Sequence, residues 1–217
     1  MLFKKVHAII ILLSGVCAIL SYYFEHDFLY YFLKPITTVL ILLFSLIHGH
    51  RSEKEILKMT VYGLFFCLLG DILLMKDTFF VYGLLAFLVA HILFIISFVK
   101  IDGFKNYFKP FVLLLLFGGM FYAFLYPNLG SLALRVLVYV ICIALMAWQG
   151  AGLYIWKKKK PFLYILLGAL LFMISDSIIA LNKFVYSFEL SKLVVMTTYW
   201  TAIFFIAKAS TMRKKVL

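Results

Sequence analysis

The stretch "FFVYGLLAFLVAHILFIISFV", residues 79 to 99, decides the fold class. It holds no Asp, Glu, Lys, Arg or Pro, and it ends abruptly at the polar run "KIDGFKNYFKP", residues 100 to 110. A helix needs about 20 mostly apolar residues to cross a hydrocarbon layer of about 30 Å, and this run supplies them. In lipid an α-helix satisfies all its own backbone polar groups, so the run predicts a membrane helix.

Comparable runs fill the rest of the 217-residue chain, which is 66% hydrophobic and 19% aromatic. Dividing them at their polar breaks predicts eight helices, at about 6 to 24, 28 to 47, 57 to 75, 79 to 99, 109 to 126, 132 to 156, 161 to 181 and 187 to 208. The expected fold is therefore all-α: a polytopic integral membrane bundle of eight transmembrane helices, one domain over residues 1–217. The opening run "MLFKKVHAIIILLSGVC" reads as the first of these helices and not as a signal peptide, since no small-residue cleavage site follows it. Cys17, Cys67 and Cys142 all fall inside apolar spans, where buried packing and not a disulfide framework is expected.

A net charge of +12 would suggest nucleic acid in a soluble protein. Here the basic residues alternate from break to break. Lys4 and Lys5, then Arg51, Lys54 and Lys58, then Lys100, Lys105 and Lys109, then Lys157 to Lys160, then Lys208, Arg213, Lys214 and Lys215 all fall on one side of an eight-helix bundle. Lys and Arg collect in cytoplasmic loops, so this pattern predicts both termini in the cytoplasm, a multi-pass cell membrane location (the inner membrane of a Gram-negative host), and no nucleic-acid partner. Weak internal symmetry suggests a parallel repeat of four helices plus four, with halves 1–104 and 105–217: Gly63 precedes Asp71 and Gly168 precedes Asp176 by the same eight residues.

Asp71, in "LLGDILL" at 68 to 74, and Asp176, in "FMISDSIIAL" at 172 to 181, are carboxylates inside spans. Such groups are costly in lipid and mark a bundle interior or an aqueous cavity. Counted from the non-cytoplasmic ends of the third and seventh helices, both lie about 8 to 9 Å deep at 1.5 Å per residue. Lys34, Arg135, Glu189 and Lys192 fall near the same level, which predicts one shared charged site. Helical spacing puts Arg135, Tyr139, Cys142, Met146 and Gln149 on one stripe of the sixth helix, and Gly83, Phe87 and His91 on one stripe of the fourth. His91 and Tyr199 lie about 17 Å deep on the same count, which predicts a pocket running inward from charged walls to aromatic ones. Ion pairs of Lys34 with Asp71 and Arg135 with Asp176 that only hold the bundle together are the competing account. His48 and His50 are expected to be solvated. No His or Cys grouping has zinc-site spacing, so neither a metal nor a cofactor is expected.

At these residues the chain resembles the YhhN family of membrane proteins, whose animal members are lysoplasmalogenases. The phrases that carry the likeness are "LKPITT" at 33 to 38, "GDILL" at 70 to 74, "GLLAFLVAHILF" at 83 to 94, "YVICIALMAWQ" at 139 to 149, "GALLFMISDSIIALNKF" at 168 to 184 and "VVMTTYW" at 194 to 200. Ile203 stands where the family often has Gln. The resemblance implies an eight-helix fold and hydrolysis of the vinyl ether bond of a lysophospholipid substrate drawn from the bilayer. On that reading Asp71 and Asp176 are catalytic, while Lys34, His91, Arg135, Tyr139, Ser175, Asn182 and Tyr199 bind substrate. Lys34 and Arg135 would take the phosphate, with the tail running inward towards His91 and Tyr199. A proton-coupled transporter of lipids or small molecules would use the same buried charges. An intramembrane aspartyl protease ranks below both, because "LLGD" lacks the first Gly of the GxGD pattern.

Overall fold

The computed structural model describes residues 2–50 and 53–212; Arg51, Arg213, Lys214 and Lys215 of the charge pattern lie outside them. Among the described residues eight helices are long and apolar enough to cross a membrane. They are α1 (Leu2–Tyr23), α2 (Asp27–His48), α3 (Lys54–Leu73), α4 (Phe80–Asp102), α5 (Phe108–Leu125), α6 (Ala133–Lys157), α7 (Lys160–Phe184) and α8 (Ser191–Ser210). The predicted count and order hold, and most ends shift by a few residues. The largest shifts are at the starts of α1 and α8; the first turns of α1 include Lys4 and Lys5, since long basic side chains near a helix end reach out to the polar layer.

The breaks have local causes. Gly103 ends α4 at φ 75°, a left-handed value that costs a residue without Cβ nothing. Lys158 ends α6 at φ 50°, and Pro161 in the first turn of α7 needs no amide partner there. The loop between α4 and α5 is held against α6. The Lys105 amide donates to Gln149 Oε1 at 2.9 Å, Gln149 Nε2 returns a bond to the Lys105 carbonyl at 3.2 Å, and Trp148 Nε1 donates to the Tyr107 carbonyl at 2.8 Å. Gln149 thus closes the stripe predicted on α6 by clamping a loop.

The closest helix pairs are α3 with α4 and α7 with α8. Small residues make both possible, as is usual where lipid offers no hydrophobic drive between helices. A Cβ on Gly63 would lie 2.5 Å from the Phe94 ring, and one on Gly168 would lie 2.9 Å from the Ala202 carbonyl oxygen. Phe87, Phe172 and Tyr199 meet edge to face at the centre, with Phe87 to Tyr199 centroids 5.7 Å apart and Phe172 to Tyr199 5.5 Å. One expectation is corrected here. Cys67 and Cys142 are buried, but Cys17 is exposed on the outside of α1. His48 is half-buried at the crossing of α1 and α2 and lies beside buried His7, with His7 Nδ1 3.3 Å from His48 Nε2.

Candidate active site

Asp71 and Asp176, from α3 and α7, line one cavity of about 560 Å³. Met75, Asp77, Asn182, Lys183 and Lys192 also line it, so it opens at the face where α3 and α7 end and α2, α4 and α8 begin. Chain direction explains why so many polar groups converge below that face. A Cα–Cβ bond tilts towards its helix N-terminus. Asp71 and Asp176, on helices that run towards the opening, therefore lean inward. Lys34, His91, Tyr139 and Tyr199, on helices that run away from it, lean outward and meet them.

The two carboxylates are held differently. Asp71 Oδ2 accepts the Thr38 hydroxyl at 2.6 Å and the Tyr199 hydroxyl at 2.9 Å, while Lys34 Nζ lies 4.0 Å from Oδ1. Trp200 Nε1 donates to Thr38 Oγ1 at 3.3 Å and so orients that hydroxyl. Two donors and a cation thus surround Asp71, a setting that stabilises an ionised carboxylate. Asp176 Oδ2 accepts one hydrogen bond, from the Tyr139 hydroxyl at 2.5 Å. His91 Nε2 lies 3.6 Å from the same oxygen, and neither ring nitrogen of this fully buried histidine has a hydrogen-bond partner. No Lys or Arg among the described residues pairs with Asp176. The two carboxylates therefore stand in unequal settings, Asp71 with a cation and two donors and Asp176 with one donor and an unpartnered histidine.

Other predicted residues are placed as follows. Asn182 lines the cavity with its Oδ1 buried and without a partner. Ser175 is fully buried but turns away, donating to the Val195 carbonyl at 3.3 Å where α7 meets α8. Arg135 is exposed and lies outside the cavity lining, as does Glu189, because each sits near a helix start on the outer side of the bundle. Tyr139, one turn further along α6, takes the place beside Asp176 that an Arg135 pair would have occupied. Lys192 does line the cavity, with Nζ 4.3 Å from the centre of the Tyr22 ring. Tyr199 lines the cavity, whereas His91 lies behind Asp176 and outside the lining. The outward lean of both side chains brings them up to the carboxylates, and His91 packs against Phe172 with centroids 4.6 Å apart. Ile203, at the position where the family often carries Gln, is fully buried in the apolar core.

Thr38, Tyr30 and Trp200 belong to the site and were not singled out in the sequence. For Thr38 a signal existed: it follows Lys34 by one helical turn within "LKPITT", so both face Asp71. Thr38→Val preserves the shape and removes one bond to a charged group. It is expected to cost about 1.5 to 3 kcal/mol, read as earlier thermal unfolding of the detergent-solubilised protein. An unchanged midpoint would mean that this hydroxyl does not hold Asp71.

The fold and the site together define a class: a multi-pass membrane protein with two carboxylates gathered in one buried cavity. The chain belongs to the YhhN family, whose model matches residues 29–210. It is 37% identical over 180 residues to lysoplasmalogenase TMEM86A of Bos taurus, covering 76% of this chain and 71% of that protein. Against lysoplasmalogenase TMEM86A of Homo sapiens it is 35% identical over 175 residues, 74% of this chain and 69% of the other. Lysoplasmalogenase TMEM86B of Mus musculus is 30% identical over 173 residues, 78% of this chain and 69% of its own length. No solved structure matches the chain.

Proposed function

We propose that this protein is a lysoplasmalogenase-type hydrolase that cleaves the vinyl ether bond of a single-chain ether phospholipid by acid-base catalysis between Asp176 and Asp71. The observation that carries the reading is the unequal setting of two carboxylates in one cavity, and the relatives named lysoplasmalogenases support the substrate class.

Vinyl ether hydrolysis begins with a proton placed on the second carbon of the alkenyl chain, which leaves an oxocarbenium ion at the first. Asp176, without a cation and with one hydrogen-bond donor, is the proton donor. Asp71, held ionised, stabilises the cation and takes a proton from the water that attacks it. The product of that attack is a hemiacetal. Its collapse moves the hydroxyl proton to the departing glycerol oxygen, releasing a fatty aldehyde and the glycerophospho head group. The proton on Asp71 returns to Asp176 across the cavity, so each turnover consumes one water and no cofactor. Tyr139 and Tyr199 orient the two carboxyls, and His91 backs Asp176 from the protein side.

Lys34 and Lys192 supply positive charge on the polar wall for the phosphate, the role the sequence suggested for Lys34 and Arg135. Asn182, with an unpartnered oxygen in the same wall, suits a head-group donor. The basic-residue pattern supports an orientation in which the cavity opens away from the cytoplasm.

The test is to give purified protein a lysoplasmalogen, its saturated alkyl ether analogue and an acyl lysophospholipid, and to follow the products by mass. Aldehyde from the first alone is expected, because only that bond yields a stabilised cation on protonation. Cleavage of the acyl lipid, or of none of the three, would overturn the reading; transport of an unaltered lipid into sealed vesicles would then replace it.

A further inference from the structure

A second opening adjoins the polar cavity, and its chemistry is nearly the opposite. It is a narrow groove of about 50 Å³ between α4, α5, α6 and α7, walled by aliphatic and aromatic side chains. The polar cavity and this groove share Leu74, Phe80, Phe87, Asp176 and Ile179. Asp176 therefore stands at a seam. Asp71 lines the polar cavity and is absent from the groove.

Resting on the hydrolase reading above, we propose that this groove is the binding site for the alkenyl chain of the substrate, entered sideways from the bilayer, with its first two carbons at Asp176. Three observations carry it. The first is the division of polarity: a single-chain phospholipid has a charged end and an apolar end, and the two adjoining spaces match them with the seam between. The second is where the acid must be. The carbon that accepts the proton is the second of the chain, so the donor has to lie at the top of the tail site, while the base for water belongs on the head side. Asp176 at the seam and Asp71 in the polar cavity meet both conditions.

The third observation is access. The outer wall of the groove is α5, which packs mainly on α6 and buries only Leu114, Gly118 and Leu125. Phe117 of α5 lines the groove and is 43% exposed on the outside of the bundle, so the groove reaches the lipid-facing surface. Gly118 keeps the lower wall close: a Cβ there would lie 3.2 Å from Val140 on α6. An inward route past His91 and Tyr199 is closed by those same side chains, which leaves the lateral groove as the apolar continuation of the site.

The test uses chain-length preference. Ala144→Phe and Ala180→Phe each add a ring to the groove lining, and Leu113→Phe adds one to the outer face of α5. With octadecenyl and decenyl lysoplasmalogens, the two groove variants are expected to lose about tenfold or more in kcat/KM for the long chain relative to the short one, mostly through KM. Leu113→Phe is expected to leave that ratio unchanged. A ratio equal to the parent's in both groove variants would overturn the proposal. Should the parent cleave no lysoplasmalogen, the hydrolase reading fails by itself, and a second arm judges the groove. An alkyl ether lysophospholipid with a diazirine at the chain end, irradiated with the parent protein in vesicles, is expected to label peptides of α5 to α7 and to be displaced by unlabelled lysolipid. Labelling elsewhere, or labelling matched by a diazirine phosphatidylcholine that lysolipid does not displace, would make the groove ordinary bilayer-facing surface.

Discussion

Asp176→Asn is expected to lower aldehyde release from lysoplasmalogen by about 10²- to 10⁴-fold in kcat, the usual contribution of a positioned general acid or base. Asn keeps the shape and still accepts the Tyr139 hydroxyl, so the variant should fold and insert as the parent does. It cannot deliver a proton to carbon. Asp71→Asn is expected to lose activity by a similar factor for a different reason: it removes the negative charge that faces the cation and the base that takes up the water proton. It also leaves Lys34 without its counter-charge, so it should unfold earlier than Asp176→Asn. Activity is to be read by aldehyde mass spectrometry, and folding by thermal unfolding in detergent. Parent-like turnover in either folded variant would remove that residue from the mechanism.

Gly168→Leu is expected to produce the largest structural effect. A Cβ at this position would lie 2.9 Å from the Ala202 carbonyl oxygen and 2.8 Å from Ile206 Cγ1. One of those neighbours is backbone and cannot turn aside, so the added side chain must push α7 and α8 apart. Overpacking of this kind costs about 1 to 3 kcal/mol and sometimes more. The displacement also carries consequences for the site, since α7 holds Asp176 and α8 holds Tyr199. The expected result is a lower unfolding midpoint together with a loss of turnover. By contrast, Gly119→Leu, at a glycine with nothing within 4 Å of its Cβ position, should leave the midpoint nearly unchanged. Equal midpoints for both variants would show that the α7–α8 crossing is not as close as described.

Part of the site was legible before any coordinates. A carboxylate in an apolar run is conspicuous because the cost of burying it is large, so Asp71 and Asp176 stand out wherever the helices go. Depth could also be counted, because helix rise is constant, and both acids do line one cavity. Other residues could not be placed this way. Arg135 and Lys192 looked equivalent as basic residues near helix starts, yet Lys192 lines the cavity and Arg135 is exposed outside it. Which way each side chain faces depends on how α6 and α8 are rotated about their axes, and that is set by packing against neighbours. Trp200 was harder still, since an indole in a membrane helix is unremarkable until its partner is known.

The sequence by itself determined that this chain crosses a membrane eight times, in helices of known order, with two acids inside the apolar layer. Those follow from hydrophobic length and the cost of burying charge, which are local properties of each run. Only the tertiary structure decided what surrounds each acid. It surrounded Asp71 with Lys34, Thr38 and Tyr199 and gave Asp176 Tyr139 and His91, and it put Asp176 alone at the edge of the apolar groove. That division arises because helices of opposite direction aim their side chains towards one another at a shared depth, and which of them meet is fixed by contacts between residues far apart in the chain.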